Sequence, residues 1–112
     1  MNKYFWRLIV SLSLSIYSPI IIGANFLEYN ISIENHYFQP SIIEIPAGQK
    51  IRLTVCNNDK TIEEFESIDL KREKIIPSHT CVHIILAPLK PGKYNFMGEF
   101  HQDTANGHII VK

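Results

Sequence analysis

Pro91-Gly92-Lys93-Tyr94-Asn95-Phe96-Met97-Gly98-Glu99-Phe100-His101 is the stretch on which the fold turns. Pro91-Gly92 is a turn signal, because proline presets φ and glycine is free to take φ > 0. Alternation follows, with Tyr94, Phe96 and Gly98 on one strand face and Met97 on the other, so the core face ends at a glycine. Glu99, His101 and Asp103 come immediately after it, three side chains able to bind a proton or a metal where a strand leaves a sandwich. Strand ends on a rigid scaffold are where function tends to sit.

Working outward, the same period of two recurs. Leu27, Tyr29, Ile31 and Ile33 alternate with Glu28, Asn30, Ser32 and Glu34, and Ile51, Leu53 and Val55 alternate with Arg52, Thr54 and Cys56. Ile43 and Ile45 lead to the turn Pro46-Ala47-Gly48, and Val82, Ile84 and Leu86 lead to Pro88. Gly107 to Val111 reads as the last strand. Thr61 to Lys74 fits neither period; it reads as a short strand followed by an irregular loop, with a helix as the alternative because Glu, Lys and Arg are good helix formers. Six to eight short strands without a convincing amphipathic helix predict an all-β antiparallel sandwich.

The chain has 112 residues, room for one domain. Lys3 and Arg7 precede an apolar run from Leu8 to Gly23, and Ile22-Gly23-Ala24 suits signal peptidase. Residues 1–24 therefore read as a secretory signal peptide and 25–112 as the domain, an uncleaved membrane anchor being the alternative. Removing the leader leaves 9 basic and 11 acidic residues, and the densest basic cluster, Lys71-Arg72-Glu73-Lys74, is broken by a carboxylate. No nucleic-acid partner is expected on that ground. The chain contains no Gly-x-Ser-x-Gly elbow, phosphate-binding glycine loop or Cys-x-x-Cys pair, so neither nucleophilic catalysis nor nucleotide chemistry is indicated. A domain of about 88 residues can bury roughly 60–65% of its unfolded surface, a thin margin.

The succession Phe38-x-Pro40, Pro46-Ala47-Gly48, a strand ending in Asn57-Asn58, and Pro91-Gly92-x-Tyr94-x-Phe96 leading to His101 resembles a cupredoxin. The resemblance implies a cupredoxin-like antiparallel Greek-key β-sandwich. Matched position by position, Glu63 stands where copper-binding cupredoxins carry the first His, Gly98 where they carry the Cys, and Asn106 or its neighbour where they carry the Met; His101 alone keeps its ligand type. A short copper–thiolate bond cannot form at glycine, which argues against blue-copper electron transfer and leaves a vacancy expected beside Gly98.

Glu63-Glu64-Phe65-Glu66-Ser67, Leu70-Lys71-Arg72-Glu73-Lys74 and Gly98-Glu99-Phe100-His101 are similar to a cupredoxin-like subfamily encoded alongside bacterial high-affinity iron permeases. That resemblance implies a periplasmic protein of iron uptake that binds a copper or iron ion. It would assist ferrous oxidation or deliver iron, with the inner-membrane iron permease and other periplasmic subunits of the uptake system as partners. If the topology holds, the segment after the Asn pair meets the segment after Tyr94-x-Phe96, and Glu63, Glu66, Glu99 and His101 are the expected ligands. His36, Glu64, Met97 and Asp103 are lesser candidates, and Asp103 serves equally as a plain loop acceptor. Carboxylate and imidazole suit Cu(II), iron or manganese better than Cu(I). The competing expectation is a metal-free periplasmic interaction module whose acidic end docks onto a transport complex. In the cupredoxin order the strands carrying Cys56 and Cys81 are antiparallel neighbours, which implies a disulfide between them.

Overall fold

The computed structural model describes residues 25–112; residues 1–24, expected from the sequence to be a signal peptide, lie outside them. Nine strands follow in order: β1 (Leu27–Glu34), β2 (Tyr37–Gln39), β3 (Ile42–Ile45), β4 (Ile51–Asn57), β5 (Glu63–Ser67), β6 (Arg72–Ile76), β7 (Thr80–Leu86), β8 (Gly92–Gly98) and β9 (Asn106–Val111). A single turn of 3-10 helix, Glu99–His101, separates the last two.

The strands form two sheets, one ordered β2-β1-β4-β7 and the other β3-β9-β8-β5-β6. Most pairings are antiparallel, but β1 runs parallel to β4 and β3 parallel to β9, so each sheet is mixed. The two sheets bury one layer between them. Ile31, Ile33, Leu53 and Val55 come from the first sheet and Phe65, Phe96 and Ile109 from the second, all nearly free of solvent. Three rings anchor that layer: Phe96 packs edge-on to Phe38 at 4.9 Å between centroids and stacks on Phe65 at 5.1 Å.

Two elements exceed what the sequence suggested, giving nine strands where six to eight were expected. The first is a hairpin. Asn35 and His36 both take positive φ, 54° and 67°, which makes the two-residue connection between β1 and β2 a left-handed tight turn of the kind that matches strand twist. The second is β6. The expected irregular loop after β5 is a turn at Ile68–Lys71 followed by an edge strand, and the helical alternative is absent there. β6 lies at the edge of its sheet with four of its five residues exposed, so no alternation marks it in sequence.

The segment joining β4 to β5 is held by Asn57, which is fully buried. Its amide donates to the carbonyls of Thr61 at 2.8 Å and Ile76 at 3.0 Å, and its carbonyl oxygen accepts the Asp59 N–H at 3.0 Å. Asp59 then accepts the backbone N–H groups of Asn35 and His36 at 2.7 and 2.9 Å. One end of the sandwich, where β1–β2, β4–β5 and the 3-10 turn meet, is thereby tied together.

Candidate metal centre

Alternation along β5 decides where its carboxylates go. Glu63, Phe65 and Ser67 face inward and are buried, while Glu64 and Glu66 lie on the outer face. Glu63 is 1% exposed. Its Oε1 accepts the N–H groups of Glu64 at 2.9 Å and Phe100 at 2.8 Å, and its Oε2 lies 2.8 Å from Nδ1 of His101. A buried carboxyl group is tolerated only when its oxygens are partnered, and these are.

Gly98 makes this possible. A Cβ built there would lie 2.6 Å from Oε2 of Glu63 and 2.7 Å from the Ala105 methyl, so any side chain would collide with the carboxylate. The vacancy expected beside Gly98 is therefore not a vacancy. Glu63 fills it.

His101 stacks face to face on His36, with ring centroids 3.6 Å apart and planes 14° from parallel. His36 is fixed by its neighbours: its backbone N–H goes to Asp59, its carbonyl accepts the Thr104 hydroxyl at 2.5 Å, and its Nε2 lies 3.3 Å from the Thr61 hydroxyl.

On the outer face of β5, Glu66 contacts Glu99. A hydrogen bond shared with Glu99, then desolvation, then repulsion from Glu99, Glu73 and Glu64, pushes the Glu66 carboxyl up to about 7. Glu73 is the Cα partner of Glu66 across the β5–β6 ladder, which explains its place in that list. Like charges at one spot disfavour ionisation.

The four expected ligands thus form two pairs on opposite faces of β5, Glu63 with His101 and Glu66 with Glu99, joined through the 3-10 turn that carries Glu99 and His101. Among the described residues no three His, Cys, Asp or Glu side chains form a group that could hold a metal ion as they stand. Of the lesser candidates, His36 joins the inner pair. Glu64 is on the outer face opposite Ile75, Met97 is on the outer face opposite Glu66, and Asp103 is exposed in the turn after the 3-10 helix. The sequence gives Asn57 no role beyond closing its strand, and the parity that Glu63 shares with Phe65 is the one signal by which its inward direction can be read.

Both cysteines are joined to each other, Cys56 to Cys81, and no free cysteine is present among the described residues. No thiolate is available at this end, which does not fit a copper–thiolate centre.

The comparisons agree on the architecture. The chain spans the cupredoxin-like domain over residues 8–111. It is 61% identical over 87 residues to the uncharacterized protein RP394 of Rickettsia prowazekii (strain Madrid E), covering 78% of this chain and 70% of that protein. Among solved structures it is similar to the metal binding domain of the Cu(I) exporting P-type ATPase CopA of Streptococcus pneumoniae, with a TM-score of 0.68, 15% identity, and 82% and 91% of the two chains covered. It is similar also to the purple cupredoxin of Nitrosopumilus maritimus, at a TM-score of 0.58, 20% identity, and coverage of 74% and 98%. Auracyanin A, a blue copper protein of Chloroflexus aurantiacus, gives a TM-score of 0.66 at 12% identity, with 77% and 98% covered. At such identities the structural likeness speaks for the fold, and with the domain match across nearly the whole chain it places this protein in the cupredoxin-like domain family.

Proposed function

We propose that this is an exported, periplasmic metal-binding protein that handles copper or iron during iron uptake, passing it to or oxidising it for an inner-membrane iron permease. The observation that carries the reading is the meeting of Glu66 with Glu99 and of Glu63 with His101 around one 3-10 turn, at a single end of the sandwich. Glu66 and Glu99 would supply oxygen and His101 nitrogen, with Glu63 behind the imidazole. A divalent or trivalent cation bound there would replace the proton that the outer carboxyls share and relieve their mutual repulsion. Because the two pairs do not converge on one point, binding requires the Glu99–His101 turn to adjust. Copper associated with related folds, the similarity to iron-permease-linked cupredoxins, and a disulfide suited to an oxidising compartment support the reading.

The test is metal analysis of protein purified from periplasm without chelator, followed by titration of Cu(II) and Fe(II) into the wild type, Glu66→Gln, Glu99→Gln and His101→Ala. Bound metal in the wild type, with each substitution weakening affinity, is expected. Metal-free wild type that takes up neither ion at micromolar concentration overturns the proposal in favour of the interaction module, the second reading, which the internal hydrogen bonding of Glu63 favours.

A further inference from the structure

We infer that Glu63 is a positioning residue: its carboxylate fixes His101 in the tautomer protonated at Nδ1, leaving Nε2 as the ring nitrogen offered to a ligand. Where this bears on metal affinity it rests on the metal-binding reading above; where it bears on the tautomer it stands alone.

The hydrogen-bond accounting leads to it. Glu63 Oε1 already accepts two backbone N–H groups, from Glu64 and Phe100, and only Oε2 faces the imidazole, at 2.8 Å from Nδ1. A carboxylate whose other oxygen already takes two backbone N–H groups offers only acceptors, so the proton of the 2.8 Å contact sits on nitrogen. Nδ1 is therefore a donor, and in the neutral ring Nε2 must be the acceptor. Among the described residues Nε2 of His101 has no hydrogen-bond partner, and the side chain is 23% exposed.

The ring is also held against rotation. His36 covers one face at 3.6 Å, and His36 is itself pinned by Asp59, Thr61 and Thr104. Gly98 keeps the carboxylate in register, since a methyl group at that position would meet Oε2 at 2.6 Å. A carboxylate, an imidazole and an outward nitrogen in line is the arrangement by which an outer carboxylate orients a metal-binding histidine. Glu63 accordingly acts through His101 rather than on the ion.

Glu63→Gln gives the sharpest test. Its amide oxygen would take the two backbone donors, placing the NH2 group toward Nδ1 and forcing Nδ1 to accept. The tautomer should invert, with Nε2 now protonated. Long-range 15N–1H correlation spectra of the His101 ring, recorded near pH 8 without metal, read this directly. The wild type is expected to show the Nδ1–H pattern and Glu63→Gln the Nε2–H pattern, with Cu(II) affinity reduced about 10–100-fold in the variant. An Nε2–H pattern in the wild type overturns the inference and needs no variant to fold. So does a Glu63→Gln protein that folds and keeps both the wild-type tautomer and its Cu(II) affinity. A wild type with the Nδ1–H pattern that binds no Cu(II) supports the positioning role and overturns the metal-binding reading, which keeps the two failures distinct.

Discussion

Gly98 and Glu63 explain each other. Where related sandwiches carry a ligand side chain on the strand, this chain has none, and the space is taken from across the sheet by a carboxylate arriving from β5. Glycine is needed here for close approach, not for unusual backbone angles: φ and ψ at Gly98 are −95° and 112°, ordinary extended values. Gly98→Ala is expected to destabilise the fold by about 1–3 kcal/mol, because overpacking a filled site forces the carboxylate or the Ala105 methyl to move. Urea unfolding of the two proteins checks it; an unchanged midpoint would mean that the end of β8 gives way freely. The sequence marked Glu63, Glu66, Glu99 and His101 as a set, but their division into pairs was harder to read. It follows from one parity, that of Phe65, which sends Glu63 in and Glu66 out. Hydrogen bonds to the Phe100 and Glu64 amides leave no trace in residue type, so nothing in the sequence announced that the vacancy would be filled.

At the scale of the element, β5 is a strand with a different chemistry on each face. The outer face concentrates Glu64 and Glu66, with Glu73 alongside on β6 and Glu99 beyond the strand end, and among the described residues no salt bridge joins any of them. The Glu66 carboxyl keeps its proton to about pH 7 in the fold, through its hydrogen bond with Glu99 first, against 4.5 for the free group. Between those values the folded state binds more protons than the unfolded chain, so this group's contribution makes stability fall as pH rises through the window. Thermal melts of the metal-free protein should show that decline, and Glu66→Gln should flatten it. A wild-type curve that parallels the variant across the window would refute the shared proton. A companion expectation concerns Asn57, whose side chain organises the entry into β5. Asn57→Ala leaves the buried Ile76 carbonyl and the part-buried groups at Thr61 and Asp59 without their partner and should cost on the order of 1–3 kcal/mol in urea unfolding, far more than Asn58→Ala at an exposed site. The alternating strands were legible because each has one buried face; β6 was not, because an exposed edge strand has no face for hydrophobicity to mark.

For the whole molecule, the two mixed sheets and a single shared core set how much the cross-link matters. Periodicity foretold the sandwich but could not tell β1 beside β4 as a parallel pair from an antiparallel one, since both bury the same alternate residues. Cys56 and Cys81 are Cα partners in the β4–β7 ladder, and their disulfide joins the inner strand β4 to the edge strand β7. Six other residue pairs link those strands, from Ile51–Leu86 to Asn57–Thr80, so the native sheet does not depend on the covalent bond. What the bond restricts is the unfolded chain, closing a loop with a sequence separation of 25. On the chain-entropy account that contributes about 3 kcal/mol, a large share of the total expected for a small domain. The double substitution Cys56→Ser/Cys81→Ser should therefore lower the urea midpoint while raising the slope, because the unfolded chain expands and exposes more surface. Metal affinity and the His101 tautomer should stay as in the wild type, since the other pairs of the β4–β7 ladder and the hydrogen bonds of Asn57 and Asp59 hold that end of the sandwich without the cross-link. Lower stability with an unchanged slope would locate the loss in the folded state instead, and a simultaneous change at His101 would show that the end tied by Asn57 and Asp59 relies on the cross-link.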